Sequence, residues 1–474
     1  MKIDSLRQQH RSLIYQNYQY DWQKENKQKL LIKYKFLLKP DILFTPQIEI
    51  DGLDREKAQT VPNELMESLV FNLGLAKLPS YWKAACPAEI RVEAGSLSQE
   101  QAQWWHQLFM HGLGEFFYTN QIEFSQQGFL DITSGAEPTT AQPQQSQQLQ
   151  QLENSLSSLP KTHYQTPYLI PVGGGKDSGL TLGLLQKTSQ QFDTLVLEPA
   201  SPAAARLANN SQAGRQITVI RTICPTLLEL NRQGYLNGHT PFSAYLAFLS
   251  TLVAHLQGHQ QILVANEQSA NQPNLEFGGQ KINHQWSKSF EFEQLFRQYS
   301  AKYLANQPKQ AEYLSFLRPL NELQIAQKFA QFPEYLSTFR SCNVGQKQDI
   351  WCGNCAKCVF VFTMLFPFVD QSLLTTKVFN RNLFEDDSLW PLFEALADPS
   401  VNKPLDCVGT DQEVRFALQL AINKYQQAQQ PLPVILQQVA KILADYPPQE
   451  DLLNRWNNQH FLDEKLLTIL KNNL

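Results

Sequence analysis

The chain has 474 residues, enough for roughly two to four domains. It is 42% hydrophobic and 18% charged, so it can bury real cores and is not disordered overall. Its formal net charge is -4 and it has no basic stripe, which argues against a nucleic-acid partner.

Charges interrupt the N-terminal run Met1-Lys2-Ile3-Asp4 at once, so it has no signal-peptide core. Residues 1–135 are rich in aromatics, among them Tyr81, Trp82, Trp104 and Trp105, which read as packing in an α+β region. Residues 136–161 turn to Gln, Ser and Pro, the composition of a linker. From 162 to 340 the pattern becomes α/β. Short apolar runs at 168–172, 194–197, 217–220 and 262–265 predict strands, and 180–185, 203–208 and 245–255 predict helices. This alternation implies a doubly wound, mostly parallel sheet with right-handed crossovers. Residues 341–474 hold a cysteine cluster and a helical tail, with amphipathic helices at 418–422 and 434–439. The most apolar run, 359–366, is too short to cross a bilayer and reads as a buried helix. The expectation is a soluble, cytoplasmic chain with no membrane partner. Its seven cysteines then serve as thiols or metal ligands rather than as a disulfide framework.

The first chemical motif is Gly173-Gly174-Gly175-Lys176-Asp177-Ser178, set between an expected strand and an expected helix. Glycines let backbone N–H groups approach a phosphate, and the helix N-terminus adds a positive end. Lys176 supplies a mobile charge, Ser178 can donate to a phosphate oxygen, and Asp177 can hold magnesium. The spacing is neither a Walker A loop nor a dinucleotide fingerprint. Glu198 ends the next strand at the same edge, where a nucleotide is expected, although a solvated loop acid reads equally well.

The second is the polar ground after the fourth strand. Asn266, Glu267, Ser269 and Asn271 are followed by Asn283, His284, Ser287, Lys288, Ser289 and Glu291. Glu267 and His284 are candidate proton carriers, while Lys288 and Ser287 suit a phosphate or a carboxylate. The plainer reading is a polar surface loop with capping side chains.

The third is the cysteine set. Cys342 lies upstream of Cys352, Cys355 and Cys358, with Gly353 allowing a tight knuckle. Four thiolates at these spacings can close a structural zinc site, with an iron–sulfur cluster as the alternative. Cys86, Cys224 and Cys407 are left over and read as core filler.

The glycine turn resembles the pyrophosphate loop of N-type ATP pyrophosphatases, Ser-Gly-Gly-x-Asp-Ser, with Gly173 in place of the first serine. That resemblance implies a HUP-like sheet and cleavage of ATP between its α and β phosphates. Paired with the cysteines, the turn is also similar to the 7-cyano-7-deazaguanine synthases. A broader likeness is to the UDP-N-acetylmuramoyl-L-alanyl-L-glutamate epimerases of peptidoglycan synthesis. It is carried by residues 78–83, 112–118, 171–178, 266–271, 283–293, 341–343, 351–362 and 403–409. It implies a nucleotide-linked dipeptide whose terminal L-glutamate is adenylated, inverted at the α-carbon and released with AMP. Glu267, His284 and Lys288 are then the expected catalytic groups. Asn266, Ser269, Asn271, Asn283, Ser287, Ser289 and Glu291 are the expected substrate contacts. Another AMP-forming synthetase and a catalytically inert nucleotide-binding scaffold are the alternatives.

Overall fold

The computed structural model describes residues 3–23, 28–135, 167–198, 201–305, 310–448 and 452–473. The linker expected at 136–161 lies outside the described residues. The N-terminal region supplies strands β1 (Ser12–Trp22), β2 (Leu30–Leu38), β3 (Ile42–Phe44), β4 (Gln47–Asp51), β5 (Glu89–Val92) and β6 (Asp131–Ser134). The central region supplies β7 (Tyr168–Val172), β8 (Phe192–Glu198), β9 (Gln216–Thr222), β10 (Gln261–Val264), β11 (Leu275–Phe277), β12 (Gln280–Ile282) and β13 (Glu312–Ser315). Each of the four expected central strands is present, and β8 and β9 run a few residues longer than their apolar cores.

Eleven strands make one sheet in the order β13-β10-β7-β8-β9-β4-β2-β1-β5-β6, with β3 on β2. The central strands pair parallel to one another. The seam to the N-terminal region is antiparallel, β4 on β9, so the sheet is mixed and continuous across both regions. β11 and β12 form a separate hairpin closed by Gly278 and Gly279, both at positive φ as a tight two-residue turn requires.

The chain runs β7, β8, β9 to one side and then returns to lay β10 and β13 on the other. Neighbouring crossovers therefore part between β7 and β10, which opens a crevice at the carboxyl ends of the strands. Both faces of this half are covered. Leu169, Leu195, Ile217, Val219 and Ile262 join a core with the helices Asn63–Trp82 and Phe242–Gln257. Ile170, Val172, Val196, Leu263 and Leu314 point the other way, into a core with the helices Lys176–Lys187, Pro202–Asn210 and Glu322–Phe329. Burial on both faces is why these strands are continuous apolar runs without alternation.

The apolar run near residue 360 becomes the helix Ala356–Leu365, buried at every position. The tail holds the helices Asp411–Gln427, started by a Thr410–Glu413 capping box, and Val434–Asp445. Among the described residues no helix is long and apolar enough to cross a membrane.

The packing sets one sharp constraint in the N-terminal half. A Cβ placed on Gly74 would lie 2.1 Å from Tyr15 Oη and 2.7 Å from Tyr34 Cε1. Both rings are fully buried. In an open helix Gly→Ala gains about 1 kcal/mol, but here the methyl must displace two packed rings. Gly74→Ala is expected to lower stability by about 1–3 kcal/mol, read as a fall in the denaturant midpoint. A rise in the midpoint would contradict this packing.

Candidate active site

The carboxyl edge of the parallel half gathers the chemistry. Gly173–Gly175 turn the chain from β7 into the helix Lys176–Lys187, whose first N–H groups have no side-chain cap. Gly174 stands at φ +84°, and a Cβ there would meet Ala204 N at 2.9 Å, so glycine is required. At Gly173 the nearest atom to a Cβ is Ser178 Oγ at 3.6 Å, so a serine would fit and its absence is a chemical departure, not a steric one. Gly173 N–H donates to Ser178 Oγ at 2.9 Å. Ser201 Oγ, Ser341 Oγ and Arg340 Nε lie beside or close to this turn, and all three are buried polar atoms with no hydrogen-bond partner among the described residues. A bound anion is the natural partner for such orphaned groups.

Lys176 turns inward and is 2% exposed. Its ammonium binds Asp177 at 2.5 Å and also Glu322. Burial alone would lower the Lys176 pKa, but the two carboxylates raise it. Two acids share one cation. Glu322, the deeper of the pair, is pushed up to about 8 by burial, while Lys176 and Lys357 outweigh burial at Asp177 and hold it down. Asp177 keeps a quarter of its side chain exposed, facing outward from the pair.

The polar segments after β10 are placed by Arg318, whose side chain is fully buried against Glu293 at 3.2 Å. Arg318 donates to the carbonyls of Glu267 at 2.6 Å and Lys288 at 2.5 Å. Glu293 also accepts from Ser315 N–H at 2.8 Å. Several expected substrate contacts are used inside the chain. Asn266 donates to Ser315 Oγ, Asn271 accepts from Phe290 N–H, and Asn283 bridges Ala270 O and Gln285 N–H. Ser289 caps the helix Phe290–Tyr303, Glu291 accepts from Trp286 Nε1, and Ser269 binds Glu413. Ser269 and Asn271 nonetheless border a cavity of about 370 Å³ shared with Thr410 and Asp411. Ser287 is buried. Glu198 ends β8, partly exposed, at the same edge.

His284 and Lys288 converge on a residue that reads from sequence as core filler. Cys407 is partly exposed, and its Sγ lies 3.4 Å from Lys288 Nζ. The His284 ring lies beside Cys407 and turns Nδ1 to Glu115 Oε2. Cys407, His284 and Glu115 therefore form a thiol–imidazole–carboxylate chain. Burial would raise the thiol, but Lys288, His284 and Lys357 bring it down to about 6. Burial would lower His284, but Cys407 and Glu115 raise it to about 10. These opposed shifts favour a thiolate–imidazolium pair near neutral pH. Lys288 is likewise raised: burial opposes the charge, and Cys407, Glu267 and Asp177 outweigh it. His239 packs 4.5 Å from His284 between ring centroids, and burial and that neighbour push it down to about 4. Glu115, His239 and His284 have ligand atoms within 4.8 Å of one another. Both imidazoles turn Nδ1 to the single oxygen Glu115 Oε2, the arrangement of a hydrogen-bonded relay.

Cys407 and Glu115 were missed because a lone cysteine and a lone helical acid carry no local signal. Their only trace in sequence is the likeness at residues 112–118 and 403–409. Cys86 and Cys224, by contrast, are buried.

Cys342, Cys352, Cys355 and Cys358 bring their sulfurs within 4.8 Å of one another. Cys342 to Cys355 is 3.9 Å and Cys352 to Cys358 is 3.7 Å. Sulfurs bonded to one zinc at ~2.3 Å stand about 3.8 Å apart in a tetrahedron. The four residues therefore fit a single ion. The knuckle also reaches the thiol: Asn343 donates to Asp406 at 2.6 Å, and Lys357 donates to Cys407 O.

Arg318→Met should strand Glu293 without a counter-charge and cost about 3–5 kcal/mol. Arg318→Met with Glu293→Leu should recover much of that loss in a denaturant titration, with the Glu267 and Lys288 loops left unpinned. Equal losses in the single and double variants would sink the assignment.

The MurL N-terminal domain description matches residues 4–316, and the MurL C-terminal domain description matches residues 336–451. The chain is 32% identical over 378 residues to the UDP-N-acetyl-alpha-D-muramoyl-L-alanyl-L-glutamate epimerase of Xanthomonas oryzae pv. oryzae, covering 78% of this chain and 77% of that one. It is 31% identical over 378 residues to the Micromonospora enzyme of that name, covering 78% and 76% of the two chains. For the Salinispora tropica enzyme the figures are 32% over 348 residues, 72% and 70%. No solved structure gives a significant match. With family descriptions along nearly its whole length and relatives above three-tenths identity, the chain belongs to the MurL family of epimerases, and so to the isomerases.

Proposed function

We propose that the chain inverts the terminal L-glutamate of UDP-N-acetylmuramoyl-L-alanyl-L-glutamate through an acyl-adenylate, releasing AMP and pyrophosphate, in peptidoglycan synthesis. The carrying observation is that Lys288 links two half-sites. Its ammonium is stabilised both by Asp177 of the glycine turn and by Cys407 of the thiol–imidazole chain. Phosphate chemistry and proton transfer then share one cleft.

The order of carboxyl-edge turns in β9-β8-β7-β10-β13 supports reading this half as a HUP-like, ATP-binding sheet. ATP phosphates would lie on Gly173–Ser178 with the orphaned Ser201, Ser341 and Arg340 groups. Asp177 is the proposed magnesium ligand, and magnesium there would neutralise phosphate charge. A substrate carboxylate oxygen attacks the α-phosphorus and the bond to the pyrophosphate oxygen breaks. The adenylate so formed no longer carries the carboxylate charge that opposes a neighbouring carbanion. Each pKa unit gained at the α-carbon is worth about 1.4 kcal/mol.

The Cys407 thiolate takes the α-proton and becomes a thiol, and the electron pair delocalises into the acyl carbonyl. Lys288 is the cation beside that charge. Inversion requires a proton on the opposite face. Glu267, the other acid beside Lys288, is the proposed donor there: it delivers its proton as a carboxylic acid, and the proton taken by Cys407 restores it through Lys288 before the next turnover. Water then cleaves the acyl–phosphate bond, giving the nucleotide-linked D-glutamyl product and AMP. His284 and Glu115 orient and tune the thiol.

The cysteine knuckle is proposed as a structural zinc site that fixes the backbone around Cys407 through Asn343–Asp406 and Lys357.

Cys407→Ser should abolish exchange of the α-proton in deuterated water, while substrate-dependent release of pyrophosphate from ATP continues. Loss of both together would refute the division of labour. Exchange needs the thiolate and the imidazolium. It should rise as pH climbs through about 6 and fall above about 10, following the Cys407 and His284 values. A profile flat at the acid end would exclude the thiolate.

Elemental analysis is expected to find about one zinc per chain. Chelation should lower thermal stability and slow α-proton exchange together. Iron with a visible charge-transfer band would replace the zinc reading.

A further inference from the structure

A second pocket of about 280 Å³ opens at the carboxyl end of β9, next to the helix Asn63–Trp82. Its lining includes Lys77, Lys83 and Arg221 and no carboxylate. Lys77 is 5% exposed, and its only partners among the described residues are the faces of Tyr34 and Tyr245 at 5.8 and 5.2 Å. Arg221 likewise packs on Phe242 and Tyr245 at 5.6 Å. The Tyr245 hydroxyl in the same wall is buried and unpartnered among the described residues. Lys83 donates to Gly238 O, the residue before His239. Three cations and an orphaned hydroxyl around one cavity carry a desolvation and repulsion cost that ring faces and one backbone carbonyl offset only in part, and no carboxylate among the described residues lines the cavity. Burial, then Arg221, pushes Lys83 down to about 8 and holds Lys77 well below the usual lysine range. A polyanion in the cavity would relieve that cost and hold all three cations charged.

Two further features narrow the ligand. Ile223 and Leu228, 43% and 47% exposed, line the same pocket and offer an apolar wall. Asn231 and Asn237 offer amide groups beside it. Basic floor, apolar wall and amides together suit a nucleoside diphosphate better than bare phosphate. The position also fits. The pocket lies on the same carboxyl edge as the glycine turn. Lys83 is close enough to His239 to depress its pKa, and His239 packs at a tilt against His284 of the proposed catalytic chain.

We infer that the Lys77–Lys83–Arg221 pocket binds the diphosphate of the nucleotide-linked substrate, with its base against Ile223 and Leu228, while the glutamyl end reaches Cys407. This rests on the substrate proposed above, but the pocket is testable without turnover. Calorimetric titration of the full-length protein with uridine diphosphate should show binding. Lys77→Met and Arg221→Gln should each weaken it by about tenfold or more, the loss of one charge-assisted contact. Arg221 is only partly buried, so its variant serves if Lys77→Met misfolds. In turnover, KM for the nucleotide-linked substrate should rise about as much while KM for ATP holds. Unchanged binding of uridine diphosphate in a folded Arg221→Gln protein overturns the inference. So does inorganic pyrophosphate binding there as tightly as uridine diphosphate, which would make the pocket a product site. Uridine diphosphate binding lost in the variants of a protein that epimerises nothing would keep the pocket and reject the proposed reaction.

Discussion

A fully buried guanidinium holds the cleft in shape. Arg318 sits just past β13 and touches four things at once: Glu293, Ser315, the Glu267 carbonyl and the Lys288 carbonyl. Such a pair is weak evidence for stability, because removing two charges from water consumes most of what their attraction returns. Its value is positional. The guanidinium fork presents donors in fixed directions, so two loops separated by twenty residues of sequence acquire a fixed relation. Asn457 from the tail closes the set by donating to Arg318 O at 3.2 Å. Through this one group the Glu267 and Lys288 carbonyls are held together.

From that anchor the charges can be followed outward. Lys176, Lys288 and Lys357 are interleaved with Asp177, Glu267, Glu322 and the Cys407 thiolate. Each cation is set against more than one acidic group, so a small movement of negative charge within the cleft is met by a cation already in place. This is preorganisation of the kind that lowers a barrier without reorganisation during the reaction. The cysteine knuckle belongs to the same construction. It fixes Asp406 and the start of the helix Ala356–Leu365, and through them the backbone on which Cys407 is mounted.

What could be read from the chain follows the range of the interactions. The glycine turn was legible because strand, turn and helix are consecutive, and each needs only its neighbours. The parallel half was legible because double-sided burial writes itself as apolar runs. The continuous sheet was not, since the β4–β9 seam joins segments about 170 residues apart, and register of that kind leaves no local mark. The polar loops were legible as crowded but not as to purpose. Asn266, Asn271, Asn283, Ser289 and Glu291 spend their hydrogen bonds on one another's loops, because buried polar backbone must be satisfied before any ligand is. Cys407 was hidden for the opposite reason. Its lowered pKa comes from Lys288, His284 and Lys357, all of them fifty or more residues away, so the sequence around it looks like that of an inert thiol.

The division between the two halves of the sheet then has a physical reading. The parallel half offers strand ends and a helix N-terminus, which are good at holding phosphate and poor at holding protons. The N-terminal half contributes Glu115 and the helix that carries Lys77 and precedes Lys83, across the seam. The relay that tunes the thiol and the unpaired cations beside it are thus built from both regions. A thiolate kept charged near neutrality by its neighbours needs those neighbours held rigidly, since a shift of one ångström in a salt-bridged cysteine changes its pKa steeply. A continuous sheet joining the two regions is the stiffest way to hold Glu115 and His284 in register. The antiparallel seam, invisible in the sequence, is in this sense as much a part of the chemistry as the glycine turn.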